Sequence, residues 1–226
     1  MLGGLAGGGD LLPAALRWLR RRRSTGPEAS VDSGGPREVA EEESAEDPLP
    51  APRPLPTADE VPELRAMVEL NRNDPALRWQ LGMALVAARK LNLALAHLEV
   101  AASQDPSLDE GELEDVRELQ RAERLARRYP RDAELRLALG RLYLALDQGD
   151  AALAELEEAT RLRPDLAPAH TLLGFEYAFR GRIARAREHW GRAHDLDPDD
   201  QMSSAGLAAI ADGRDPLRAL WQHAAS

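Results

Sequence analysis

Cysteine is absent from this chain of 226 residues. A disulfide framework, a thiolate-ligated zinc site and a cysteine nucleophile are therefore excluded together. Aromatic side chains make up only 4% of the chain, and lysine occurs once, at Lys90. Valine and isoleucine are too few to furnish a sheet, whereas the helix formers Ala, Leu, Arg and Glu are abundant. No run of about 20 apolar residues exists, so nothing reads as a helical membrane span. The glycine-rich start, with its arginines after its leucines, does not fit a secretory signal. A cytoplasmic location is the expectation. Catalytic signatures are missing as well. Gly7-Gly8-Gly9 has no following Lys-Ser/Thr, and no Gly-x-Ser-x-Gly, His-Glu-x-x-His or kinase motif occurs. None of the five histidines forms a His-x-x-x-His pair, and His189 and His194 point about 140° apart around a helix. The chain is expected to be no enzyme and to hold no metal or cofactor.

The formal net charge is −10, which argues against nucleic acid as a partner. That charge is unevenly spread. Residues 10–26 carry five Arg against one Asp, and residues 27–60 carry ten acids against two Arg. Within the basic head, residues 10–23, Leu12, Ala15, Leu16 and Leu19 fall on one face at helical spacing. Trp18 lies beside that face, and Arg20, Arg21, Arg22 and Arg23 follow. A basic amphipathic helix of this kind suits an anionic membrane surface or an acidic partner, while a disordered tail explains the same residues. From residue 24 to 58 the chain is rich in Pro, Gly, Ser and Glu. It has too little apolar surface to offset its ordering entropy, so residues 1–58 read as a disordered arm.

Beyond Asp59, apolar residues recur every three or four positions, interrupted by short turns containing Asp and Pro. The spacing predicts helices near 60–72, 76–88, 92–104, 112–128, 133–146, 150–162, 168–180, 184–195, 201–212 and 215–224. Segments this short are marginal alone, so each must bury a face on its neighbours. At an offset of 34 residues Leu139-Gly140 falls on Leu173-Gly174, Tyr143 on Tyr177, Ala152 on Ala186, Leu156 on Trp190 and Pro164 on Pro198. Leu81-Gly82, Ala94, Leu98, Ala101 and Pro106 fit the same frame. The Gly and the small Ala allow two helices to approach, the large residue fills the space between them, and the Pro ends the second helix.

This pattern resembles the tetratricopeptide repeat, with repeats at 75–108, 133–166 and 167–200. The resemblance implies an all-α fold, an αα-solenoid over residues 59–226. Gly82 and Gly140 lie 58 residues apart, one repeat plus 24. The surplus reads as a lone helix at 112–128, a second lone helix precedes the array at 60–72, and residues 201–224 read as a terminal cap. Two sub-modules, 59–111 and 112–226, are expected to meet at a bend.

In such arrays the first helices of successive repeats line a concave groove. By spacing, the inward positions here are Trp79, Met83 and Val86, then Leu137, Arg141 and Leu144, then Thr171, Phe175 and Phe179. That surface is apolar with aromatic anchors, suited to an amphipathic helix or an extended apolar peptide. Only Arg141 could grip a C-terminal carboxylate. Alternatively, neighbouring helices or the chain's own linker bury these side chains. The expected function is a protein-binding scaffold or adaptor. A membrane-associated assembly factor tethered by residues 10–23, or a holdase-type co-chaperone, are the alternatives.

Overall fold

The computed structural model describes residues 55–109 and 111–224. The basic head and almost all of the arm lie outside the described residues. Ten α-helices follow in order: α1 Val61–Leu70, α2 Pro75–Ala87, α3 Leu91–Gln104, α4 Glu112–Arg128, α5 Ala133–Ala145, α6 Gly149–Leu162, α7 Ala167–Phe179, α8 Ile183–Leu196, α9 Gln201–Ala211 and α10 Pro216–Ala224. The described residues contain no strand. The pairs α2–α3, α5–α6 and α7–α8 correspond to the three sequence repeats, each packed as an antiparallel hairpin; α6 also rests on α7 and α8 on α9, while α3 rests on the lone helix α4. The fold is an all-α αα-solenoid.

Local chemistry sets where these helices begin and end. The Asp74 carboxylate accepts from the backbone N–H of Ala76 at 2.9 Å and of Leu77 at 3.1 Å, capping α2 ahead of Pro75. Asp132 caps α5 in the same way through Glu134 and Leu135. The three second helices stop at Asp105, Arg163 and Asp197, each extended at φ near −140°. A proline follows each of them, and its ring excludes the helical region for the residue before it. Between first and second helix the chain turns through a left-handed residue: Arg89, Asp147 and Gly181 in the three repeats. The turn closes with a hydrogen bond such as Gln148 N–H to Tyr143 C=O at 2.8 Å.

Packing within each repeat depends on one contact. A Cβ placed on Gly82 would lie 2.6 Å from the Leu98 side chain, and one on Gly140 would lie 2.5 Å from Leu156. On Gly174 it would lie 2.4 Å from Trp190. Leu98, Leu156 and Trp190 are all fully buried. In the third repeat the filler is an indole, and its far edge meets a second glycine: a Cβ on Gly206 would lie 2.6 Å from Trp190 Cε3. The sequence frame set Leu207-Ala208 in register with Leu173-Gly174. The helix instead makes its close approach two residues earlier, and to the preceding repeat. Gly206 aligns with Leu172, one repeat back, where the neighbouring filler is Leu156 rather than Trp190. The larger residue is matched by a smaller one across the interface.

Between repeats a polar bond recurs. Tyr177 donates from its hydroxyl to Glu157 at 2.6 Å, and Tyr143 donates to Glu123 at 2.7 Å. The two tyrosines and the two glutamates are each 34 residues apart. The lone helix α4 therefore presents Glu123 to α5 as a true second helix would. Arg89, from the turn after α2, pairs with Glu123 at 3.0 Å and also donates to the Tyr143 hydroxyl. It ties the first repeat across α4 to the second.

The Trp190 contact gives a prediction with a sign. Gly174→Ala and Gly206→Ala should each cost roughly 1–3 kcal/mol by overpacking, and Trp190→Ala about 3–5 kcal/mol by leaving a cavity. In a Trp190→Leu background Gly206→Ala should become nearly neutral, because the two sites couple through one side chain. Denaturant unfolding of the four single variants and the double variant checks this; equal costs of Gly206→Ala in both backgrounds would refute the pairing.

Candidate functional site

Along the last two repeats the first helices touch one another, α5 with α7 and α7 with α9. The solenoid therefore curves with its first helices on the inner side. Seven of the nine expected groove positions are buried. Trp79, Met83, Leu137, Leu144, Thr171 and Phe175 are all more than nine-tenths buried, and Val86 with them. The reason is geometric. Each first helix is wedged between its own second helix and the helix before it, with residues 58–60 also against α2 and neighbouring inner helices against α5 and α7, so few directions stay open. Thr171 serves a structural role: its hydroxyl donates to Asp200 at 2.6 Å, linking α7 to the N-terminus of α9. Arg141 and Phe179 are only partly buried and lie on the accessible part of this face. Trp18, Arg20, Arg21, Arg22 and Arg23 lie outside the described residues.

One polar position was missed from the sequence and recurs in every repeat. In the second repeat Arg136 of α5 pairs with Glu155 of α6 at 2.7 Å. The same two positions hold His170 and His189 in the third repeat, and Arg78 and His97 in the first. The 34- and 58-residue offsets that align the glycines would have found them. The histidines at these positions lie within helix–helix seams. His170 Nδ1 and His189 Nδ1 are 3.1 Å apart, and His170 Nε2 is 3.1 Å from the Pro164 carbonyl. The carbonyl can only accept, so Nε2 of His170 carries a proton. In the neutral pair His189 then donates from Nδ1 to His170 Nδ1. The His189 ring also stacks between those of His170 and Tyr177, with centroids 5.3 Å from each.

This pair takes one added proton at Nε2 of His189 and cannot take a second without two N–H groups facing each other. Burial holds both imidazoles below the ordinary range. His170 and nearby Arg185 push His189 further down, against Glu188 and Glu157. For His170, the Pro164 carbonyl and Glu188 pull back upward while Arg192 opposes them. His97 is lowered by burial, then by Arg78 and Arg65. An open cleft of about 410 Å³ beside the pair is lined by His170, Arg187, Glu188, His189, Arg192 and Asp195. Its charges are mixed in sign, and among the described residues no three His, Asp or Glu side chains gather as a metal site would require.

No protein-family model matches the chain, and no curated protein matches it. Among solved structures it is similar to MamA, at 20% identity over 73% of this chain and 84% of that one, with a TM-score of 0.35. It is similar to a thermophilic TPR protein of Thermus thermophilus, at 22% identity over 74% of this chain and 81% of that one, with a TM-score of 0.37. A MamA fragment from Desulfovibrio magneticus matches at 20% identity over 63% and 86%, with a TM-score of 0.34. The repeat architecture stands on the helix pairs and the 34-residue frame of this chain.

The histidine seams predict an acid sensitivity. Their folded pKa values lie below the unfolded value of 6.5, so the unfolded chain binds more protons in that range. Stability is then complete above about pH 6.5 and falls as the pH drops through it. Transplanting the second repeat's pair, as His170→Arg with His189→Glu, should flatten this fall. Urea unfolding free energies at pH 7.5 and 5.5 for the wild type and the double variant test it. An unchanged slope would exclude the pair as its source.

Proposed function

We propose that this array is a protein-binding scaffold that takes an apolar peptide or amphipathic helix on its concave face. The observation that carries the reading is the continuity of that face. Helices α5, α7 and α9 lie side by side, their apolar residues are fixed in the core, and Arg141 and Phe179 stand partly accessible along this face. A rigid row of helices with a few anchor side chains suits helix-in-groove recognition. Among the described residues, no arrangement that would activate a nucleophile or hold a cofactor favours a competing enzymatic reading. An adaptor has one dominant partner, whereas a holdase would take many unfolded clients.

Affinity and stability must be measured together. Trp79→Ala and Phe175→Ala should destabilise as Trp190→Ala does, by about 3–5 kcal/mol, because both are core. Arg141→Ala and Phe179→Ala should cost less stability and weaken the partner by tenfold or more. A photo-crosslinking residue at 141 or 179 should capture that partner, and one at Leu93, exposed on α3, should not. Capture at 93 alone would move the site to the outer face.

A second reading rests on the basic amphipathic head. If residues 10–23 dock on anionic lipid, each Arg near the surface contributes ~1 kcal/mol, and binding weakens with salt. Replacing Arg20 to Arg23 together by Ser should then abolish sedimentation of the chain with anionic liposomes. Equal pelleting of the two proteins would remove this reading.

A further inference from the structure

The last helix does not sit where the repeat would put it. The second helices α6 and α8 each pack on their own first helix and on the first helix that follows. By order α10 is the second helix after α9, yet it packs on α9 and also on α7, the first helix of the preceding repeat. It has swung inward, onto the concave side.

The burial of α7 carries the mark of this. Ala169 to Ala178 are buried without interruption. One repeat earlier, the inner position equivalent to Phe175 is Arg141, which remains partly accessible. The inner face of the third repeat is covered where that of the second is open.

Two features bound α10. Helix α9 ends in the left-handed turn that also joins first to second helix in each repeat, with Gly213 at φ +67° and the Arg214 N–H donating to the Ala209 carbonyl at 2.8 Å. Asp215 then caps α10 afresh, accepting from the Leu217 N–H at 3.0 Å. The helix is amphipathic. Leu220 is 3% exposed, Leu217 is partly buried against the core, and Arg218 faces solvent.

We propose that α10 is a releasable internal ligand, holding in cis the inner face of the third repeat that a partner's amphipathic helix takes in trans. This rests on the concave-face reading above and adds its regulation. A tether of a few residues gives α10 an effective concentration of about millimolar. An outside helix must therefore outcompete it, and the scaffold stays closed to weak apolar peptides. Nine residues are too few for a stable free helix, so release yields a disordered tail, and the partner's longer helix gains the face.

The test uses the complete chain and a fluorescein-labelled synthetic peptide of residues 214–226. Wild type should bind the peptide weakly or not at all. Leu217→Asp with Leu220→Asp, which detaches α10, should bind it at least tenfold more tightly, and amides of α7 should exchange faster in that variant. A second variant lengthens the turn by inserting ten Gly and Ser residues after Gly213. It changes no packed side chain and lowers the effective concentration, so peptide binding should rise several-fold. Failure of both variants to bind better, with helical content intact, would overturn the proposal. So would cooperative loss of the whole array in the double-Asp variant, since α10 would then be part of the core. Failure of the scaffold reading looks different. Peptide binding would still respond to these variants, while Arg141→Ala and Phe179→Ala would leave partner affinity unchanged.

Discussion

Close approach of two helix backbones at a glycine is the constraint from which the solenoid follows. Gly82, Gly140 and Gly174 each lie against the large residue of the second helix, at a separation that leaves no room for a Cβ. The large residue can be fully buried only because the glycine is there. Once the hairpin is this tight, its outer surfaces are fixed, and the next first helix has one place to lie. The Tyr–Glu bonds at Tyr143–Glu123 and Tyr177–Glu157 then set the stagger between neighbours. Each is a short hydrogen bond to a carboxylate at a partly buried seam, worth more than a neutral one. Both tyrosines are held protonated, by burial first and the glutamate second.

The inserted helix α4 shows how far that constraint can be relaxed. It lacks a first helix of its own, yet it offers Glu123 to Tyr143 at the register of a second helix. Arg89 closes the gap from the other side. Its left-handed backbone lets the turn after α2 point across α4, where the guanidinium meets both Glu123 and the face of the Tyr143 ring at 4.9 Å. A repeat array can thus absorb half a unit if the polar contact between repeats survives the insertion.

How much was legible in the sequence follows from which interactions are local. Helix positions were readable because caps such as Asp74 and Asp132, and stops such as Pro106 and Pro164, act on their own few residues. The Gly–filler pairs were readable because the 34-residue frame repeats them. Burial of the inner face was not. Spacing along α7 says that Phe175 points inward, but not that α9 and α10 pack there, since that depends on where a non-repeating terminus goes. Gly206 escaped for the same reason. Its partner Trp190 belongs to the previous unit, so a frame that compares like with like passes over it. The histidine seam was hidden differently. His170 and His189 carry no signal alone and gain meaning only beside Arg136 and Glu155, the ion pair they replace.

The third repeat is consequently held by contacts that do not need α10. Trp190 donates its indole N–H to the Thr171 carbonyl at 3.1 Å, while Thr171 donates its hydroxyl to Asp200 at the start of α9. With the Gly174 and Gly206 faces on either side of the indole, α7, α8 and α9 form one interlocked unit around a single buried tryptophan. A last helix that was essential to this unit would be expected to add to that network. The described side chains of α10 that pack against the core, Leu217 and Leu220, are instead apolar. Apolar burial is non-directional and scales with area, so it holds a short helix in place without specifying it against another helix of similar stripe and greater length. The polar network fixes the repeat, and the apolar stripe leaves its inner face open to exchange.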